Sequence, residues 1–235
     1  MPSQAKCAEP DSLYENIEHA HRLRVRDVAI PTSIVTISAL FVENKWLKKQ
    51  RLNAQKTLSA IDNKKFKADD YIQYLPMVSV YGFNLFGVKG RHSFKDRTII
   101  LGMAYAIQTA TVHCLKYALK EKRPDSSSHN SFPSGHTATA FTGAQFLYEE
   151  YKTVSPWIGY AGYAVATITG YLRIYNNRHY INDVVAGACL GILSTKLAYW
   201  LYPKCFKFAE CNDSRILMTP YYLGNNIGVS ICIRY

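Results

Sequence analysis

Six apolar segments, at roughly 28 to 42, 71 to 88, 98 to 115, 135 to 150, 155 to 174 and 183 to 202, restrict the fold of this 235-residue chain more than anything else in it. Several approach the ~20 residues that a bilayer span needs, while the first and fourth are short and would extend into polar flanks. Short loops join them. Small residues crowd the last two, namely Ala161, Gly162, Ala164, Gly170, Ala186, Gly187, Ala188 and Gly191, a composition that lets helices approach closely in lipid. The mean hydropathy of −0.13 is low for a fully embedded bundle. Polar residues in the segments, such as Gln108, His113, Gln145 and Lys196, are therefore expected to face other helices, a site or a water-filled cleft. The competing reading is a soluble helical domain with buried helices.

The pattern divides the chain into a polar segment (1–27), a helical domain (28–203) and a tail (204–235). Residues 1–27 begin with neither a charged n-region nor an apolar run, so no secretory signal is expected there, and Cys7 reads as an ordinary thiol. A net charge of +11 suits either nucleic acid or an anionic membrane surface. Zinc-finger spacing, an aromatic RNA-binding signature and a recognition-helix pattern are all missing, which weighs against nucleic acid and for membrane lipids.

Three polar clusters interrupt the later segments. The first runs from Lys116 to Arg123-Pro124, with its two cations seven residues apart. If the run into Pro124 is helical, both project from one face and can grip one anion; a solvated basic helix end fits as well. The second is Pro133-Ser134-Gly135-His136, followed by a helical pattern. Ser134 is a good N-cap, and Gly135 lets an anion approach the free amides of a helix start. His136 at its edge can deliver a proton near neutral pH, although an ordinary capped helix with an incidental histidine fits too. The third runs from Arg173 to His179 and Asp183. A carboxylate four residues after a histidine can accept one ring N–H, which leaves the other nitrogen as a nucleophile. If the six segments alternate across a membrane, all three clusters emerge on one side. Lys and Arg are split almost evenly between the two sides, so charge does not set the orientation.

Together the clusters resemble the type 2 phosphatidic acid phosphatase (PAP2) superfamily, which also contains soluble class A acid phosphatases and vanadium haloperoxidases. The family's pattern, K-x6-RP, PSGH and SR-x5-H-x3-D, is met at Lys116, Arg123, Pro124, Pro133, Ser134, Gly135, His136, Arg173, His179 and Asp183, with Leu172 where the pattern has Ser. The resemblance implies an all-α, six-helix transmembrane bundle of PAP2/haloperoxidase type. It implies hydrolysis of a lipid phosphate monoester or diphosphate, in the manner of undecaprenyl diphosphate, lipid A phosphate or phosphatidic acid, without metal or cofactor. His179 is then the nucleophile that becomes phosphohistidine, Asp183 orients it, and His136 protonates the leaving alcohol and later activates water. Lys116, Arg123, Ser134, Gly135 and Arg173 hold the phosphoryl oxygens. Bacterial relatives imply a multi-pass protein of the inner membrane with its site facing the periplasm. A soluble acid phosphatase or haloperoxidase would use the same residues, but the eight residues between Pro124 and Pro133 are few for one. A non-enzymatic protein that binds anionic lipid would need the cations but not the His179–Asp183 pair.

Two further stretches stand apart. Lys45 to Ile61 carries Leu47, Ala54, Leu58 and Ile61 at helical spacing among cations and reads as a basic amphipathic helix at a headgroup surface, or as a solvated helix packed on the bundle. Residues 215–235 alternate Ile227, Val229, Ile231, Ile233 and Tyr235 with small or polar residues after the turn-like Leu223-Gly-Asn-Asn226, and read as a short β-hairpin. No CxxC or zinc-ligand spacing occurs; Cys205 and Cys211 are spaced for a disulfide only if the tail meets an oxidising compartment.

Overall fold

The computed structural model describes residues 23–58, 68–213, 216–223 and 226–233. Residues 1–22 of the polar segment, Cys7 and Ile61 lie outside them. The chain forms two units, Met1–Ala198 and Tyr199–Tyr235.

In the first unit, α1 (Val25–Glu43), α2 (Lys45–Leu58), α3 (Asp69–Ile72), α4 (Leu75–Leu85), α5 (Phe94–Leu119), α6 (Gly135–Tyr151) and α7 (Pro156–Tyr175) precede α8 (Ile181–Asp213), which crosses the unit boundary. Each of the six apolar segments is helical. Their ends follow from local chemistry: Ser93 Oγ accepts the Asp96 amide at the start of α5, and Pro156 opens α7, where its missing N–H costs nothing. Three of the described helices are long and apolar enough to cross a membrane, through Val25–Val42, Phe94–Leu119 and Ile181–Cys205. Of the other three expected spans, α4 has 11 residues and α6 has 17, while the tyrosines and glycines of α7 dilute its apolarity.

The helix α6 is the axis of this unit. Its run Thr137-Ala-Thr-Ala is small enough for neighbours to press on it: Ala138 packs with Val112 of α5 and Leu190 of α8, and Ala140 and Ala144 pack with Ala166 of α7. The approach of α8 is closest. A Cβ on Gly187 would lie 2.5 Å from the Ser134 carbonyl oxygen, and Gly191 sits as tightly against the Ala138 carbonyl. Only glycine permits this spacing, and it sets the start of α6 against the start of α8.

Gln108 and Gln145 are buried, and Lys196 of α8 pairs with Asp27 of α1 at 2.7 Å, as polar groups inside a bundle require. His113 departs from the expectation. It is exposed, on the same outward face of α5 as Cys114 and Tyr117, with its ring 6.3 Å from that of Tyr117. At the end of α6 away from Ser134, the buried Glu150 accepts from the His92 amide and pairs with His92 Nδ1 at 2.7 Å, which fixes the connection before α5.

In the second unit, β1 (Ile216–Leu223) and β2 (Asn226–Ile233) pair antiparallel, with Ile216 opposite Ile233 and Leu223 opposite Asn226. The hairpin expected from alternation is present; its turn residues 224 and 225 lie outside the described set. Cys205 carries a free thiol.

Candidate active site

Each polar cluster stands at the end of a long helix, and hydrogen bonds draw those ends together. The helix α5 stops at Leu119, because Lys120 turns into the left-handed region (φ 44) with its amide on the Lys116 carbonyl. It therefore does not run to Pro124, and Lys116 and Arg123 are not two turns apart on one helical face. Arg123 lies instead in a loop, where its amide bonds the Ser128 carbonyl at 3.0 Å and the Ser131 amide bonds the Glu121 carbonyl at 2.9 Å. Lys116 Nζ reaches the Asn130 carbonyl at 2.6 Å. The loop still gathers the cations: the charges of Lys116, Arg123 and Arg173 act on one another and on Asp183. Burial and the Arg173 charge push the Arg123 guanidinium down.

Ser134 occupies the N-cap position of α6 with an extended backbone, but its hydroxyl pairs with Thr137 Oγ1 at 2.9 Å rather than capping a backbone amide. Its own amide donates to the Asp183 carbonyl at 2.9 Å, which joins the second cluster to the third. A Cβ on Gly135 would meet no atom within 4 Å, so open space lies beside this helix start. Open space next to first-turn amides is what an anion needs in order to approach.

At the end of α7, the Arg173 carbonyl accepts the amides of Arg178 at 3.0 Å and His179 at 3.3 Å, which folds the chain back and sets His179 beside Arg173. His179 is 1% exposed, with Nδ1 2.8 Å from the Ser131 carbonyl oxygen. A carbonyl only accepts, so Nδ1 carries the hydrogen and Nε2 keeps a free lone pair. The expected partner, Asp183, stands one step back. Its Oδ2 is 3.7 Å from Nδ1, and it accepts instead from the Ser131 hydroxyl at 2.5 Å and the Tyr180 amide at 3.0 Å. The reason is local: in the first turn of α8 that carboxylate is taken up by the helix-start amide, and the Ser131 backbone fills the place beside the ring. Burial pushes the His179 imidazole down to about 4, against the upward pull of Asp183.

Several groups at the site were not foreseen. Asp69 is buried and pairs with Arg173 at 2.5 Å, and also accepts from Asn176 Nδ2. It supplies the polar support for Arg173 that Leu172 cannot. Asp70 lies 2.8 Å from His136 Nε2 and 3.6 Å from the same Arg173 nitrogen. The helix α2 is not simply laid on a surface. Its buried Arg51 pairs with Glu121 and stacks over Tyr180 at 4.2 Å, and Gln55 donates to the Ile174 carbonyl and to Asn177. It thus ties the loop of the first cluster to the loop of the third. Asp125 and Arg178, 3.1 Å apart, make a second tie between those loops. Among the described residues, no group of three or more His, Cys, Asp or Glu is placed to hold a metal ion.

The family model of the PAP2 superfamily matches residues 97–207. A lipid A 1-phosphatase of Porphyromonas gingivalis is 42% identical over 144 residues, which cover 60% of this chain and 32% of that protein. The bacitracin transport permease protein BcrC of Bacillus licheniformis is 37% identical over 75 residues, 32% of this chain and 35% of that protein. The chain thus spans about a third of the length of these two curated relatives. The crystal structure of a transmembrane PAP2-type phosphatidylglycerolphosphate phosphatase from Bacillus subtilis superposes with a TM-score of 0.54 at 22% identity, covering 76% of this chain and 96% of that one. That likeness shows the fold. Three of the described helices have the length and apolarity that a membrane span requires.

Proposed function

We propose that this chain, whose residues 97–207 match the PAP2 superfamily model, is a phosphatase of that superfamily and hydrolyses a lipid phosphate monoester or diphosphate through a phosphohistidine at His179, without a metal. The observation that carries this reading is the fixed tautomer of His179, whose Nδ1–H is held by the Ser131 carbonyl while Nε2 is left neutral and nucleophilic. In the first step Nε2 attacks phosphorus, a P–N bond forms and the ester P–O bond breaks, and the leaving oxygen takes a proton from His136. In the second, water attacks phosphorus, the P–N bond breaks, and the water proton passes to His136. Lys116, Arg123 and Arg173, with the amides around Gly135 and the Ser134 hydroxyl, hold the phosphoryl oxygens; such preorganised charge is usually the largest catalytic contribution. Asp183 holds Ser131 through its hydroxyl and so positions the carbonyl that orients His179. The substrate's apolar tail stays in lipid while its headgroup reaches a polar site at the helix ends. The place proposed for that site is the periplasmic face of a bacterial inner membrane, which the bacterial relatives support.

The test is phosphate release by the purified chain from undecaprenyl diphosphate, lipid A, phosphatidic acid and phosphatidylglycerol phosphate. It is paired with rapid quenching of a labelled substrate. Release from at least one lipid, unaffected by EDTA and inhibited by orthovanadate, with label on protein that is stable to alkali and lost in acid, is the expected result. Label that is lost in alkali, or a rate that collapses in EDTA and returns with Mg²⁺, overturns the mechanism.

A further inference from the structure

We propose that Asp70 sets the leaving group this site accepts, specialising it for phosphate monoesters over diphosphates by holding His136 as a proton donor. The inference rests on the reading of His136 given above and names the substrate class within it. Asp70 is the second residue of the short helix α3, far in sequence from the three clusters, yet its Oδ1 lies 2.8 Å from His136 Nε2 and 3.6 Å from Arg173 Nη1. An ionised carboxylate only accepts, so Nε2 carries its hydrogen toward Asp70, and Nδ1 is left as the nitrogen that gains and gives the mobile proton. A carboxylate in hydrogen-bond contact also favours the charged, proton-donating form of the ring. Asp69 takes the nearer place on Arg173, at 2.5 Å, and Asp70 lies closer to His136 than to Arg173.

The two substrate types ask opposite things of this place. When a monoester P–O bond breaks, the electron pair goes to a basic alkoxide, which must take a proton; the His136 Nδ1–H supplies it, and the ring is left neutral beside Asp70. When a diphosphate breaks, the leaving group is itself a phosphate. It departs readily without a proton and is stabilised by fixed positive charge. Asp70 cancels the charge that His136 would offer and adds a negative one next to the departing anion. A like-charge contact of this kind disfavours the substrate that brings it. Asp70 is 54% exposed, so its carboxylate has room to act on a bound headgroup and its replacement leaves no buried charge unpaired.

The experiment uses the purified full chain in one detergent, with dioleoyl phosphatidic acid as monoester and farnesyl diphosphate as diphosphate. Wild type, Asp70→Asn, Asp70→Glu, His136→Ala and the double variant Asp70→Asn/His136→Ala are compared by kcat/KM. Wild type is expected to prefer the monoester. Asp70→Asn is expected to lower the monoester-to-diphosphate ratio at least about tenfold, a fraction of the 10²–10⁴ that general-acid catalysis is typically worth. Asp70→Glu should restore part of the ratio, and in the His136→Ala background the Asp70→Asn change should have no further effect on the monoester. An unchanged ratio in Asp70→Asn overturns the inference, as does faster turnover of both substrates, which would mark Asp70 as an anion competing for the site. If His136→Ala impairs the monoester but Asp70→Asn leaves the ratio alone, only this inference falls. If His136→Ala does not distinguish the substrates, the reading of His136 falls with it.

Discussion

His179 and His136 each sit beside a carboxylate, but their surroundings differ in nearly every other respect. The side chain of His179 is 1% exposed, and its Nδ1 is fixed on a backbone carbonyl, with Asp183 held 3.7 Å away. The side chain of His136 is 32% exposed, and its Nε2 is bonded to an Asp70 that is itself half in water. Burial strips the first ring of its proton and leaves one lone pair free, as a nucleophile needs. Partial exposure and a direct hydrogen bond to a carboxylate let the second ring take up and give away a proton, as an acid and base needs. The same two residue types thus become suited to different tasks through where the backbone puts them. The His179 loop is anchored by Arg173 and the first turn of α8, while His136 stands on the open start of α6.

The sharpest way to break this comparison is to remove each histidine. His179→Ala should lower turnover by at least about 10³-fold on a lipid phosphate and on p-nitrophenyl phosphate alike, because neither can react without the nucleophile. Activity within tenfold of wild type would end the phosphohistidine reading. His136→Ala should cost about 10²–10⁴-fold on a lipid alkyl phosphate but much less on p-nitrophenyl phosphate, whose leaving group needs no proton. A burst of p-nitrophenol before slow turnover would show the second step also waiting for His136. Equal losses in the two variants on both substrates, with no burst, would mean that the structural difference between the rings carries no difference in role.

The two halves of the site meet where α6 and α8 touch, and a smaller change there tests whether they work as one. The Cβ of Gly187→Ala would lie 2.5 Å from the Ser134 carbonyl oxygen, so the helices must part. Overpacking of this kind typically costs about 1–3 kcal/mol. The expected outcome is a lower unfolding temperature in detergent together with a lower kcat, since the Ser134 amide and the Asp183 carbonyl are bonded across the same contact. A variant that is less stable but fully active would show that the site tolerates separation of its halves.

How much of this was legible beforehand depends on the range of the interaction. The motif spacings brought Lys116, Arg123, Arg173, Ser134, His136, His179 and Asp183 into one reading, and the six apolar segments gave the helices, because those signals are local or periodic. The sequence offers Asp183 as the acceptor of one His179 ring N–H because side chains are visible in a sequence and backbone carbonyls are not; the Ser131 carbonyl has no signature. Asp69 and Asp70 meet Arg173 and His136 across more than sixty residues of chain, and nothing in a single sequence announces such a pairing. Two adjacent acids just before an apolar segment were the available hint. The apolar spacing in Lys45 to Ile61 suggested which face of α2 would dock, yet buried Arg51 and Gln55 make its contacts with the site loops. Periodicity counts apolar side chains and so overlooks a helix held by polar ones.

The smallest expected effect separates the two histidines through stability. The unfolded His179 ring takes a proton near 6.5 and the folded one at about 4, so between these values the unfolded chain binds more protons and stability falls as pH drops. From pH 7 to about pH 5.5 this single group should cost about 1 kcal/mol, within the 1.36 kcal/mol that each unit of difference in pKa represents. Replacing it by His179→Gln, which cannot titrate, should reduce the fall in unfolding temperature between those two pH values, measured in one detergent. His136→Gln should change that fall less: burial and the Arg173 charge also push this ring below its ordinary value, but Asp70 pulls it back up. Equal pH slopes in wild type and His179→Gln would show that burial of His179 does not hold it neutral, and the comparison between the two rings would lose its electrostatic basis.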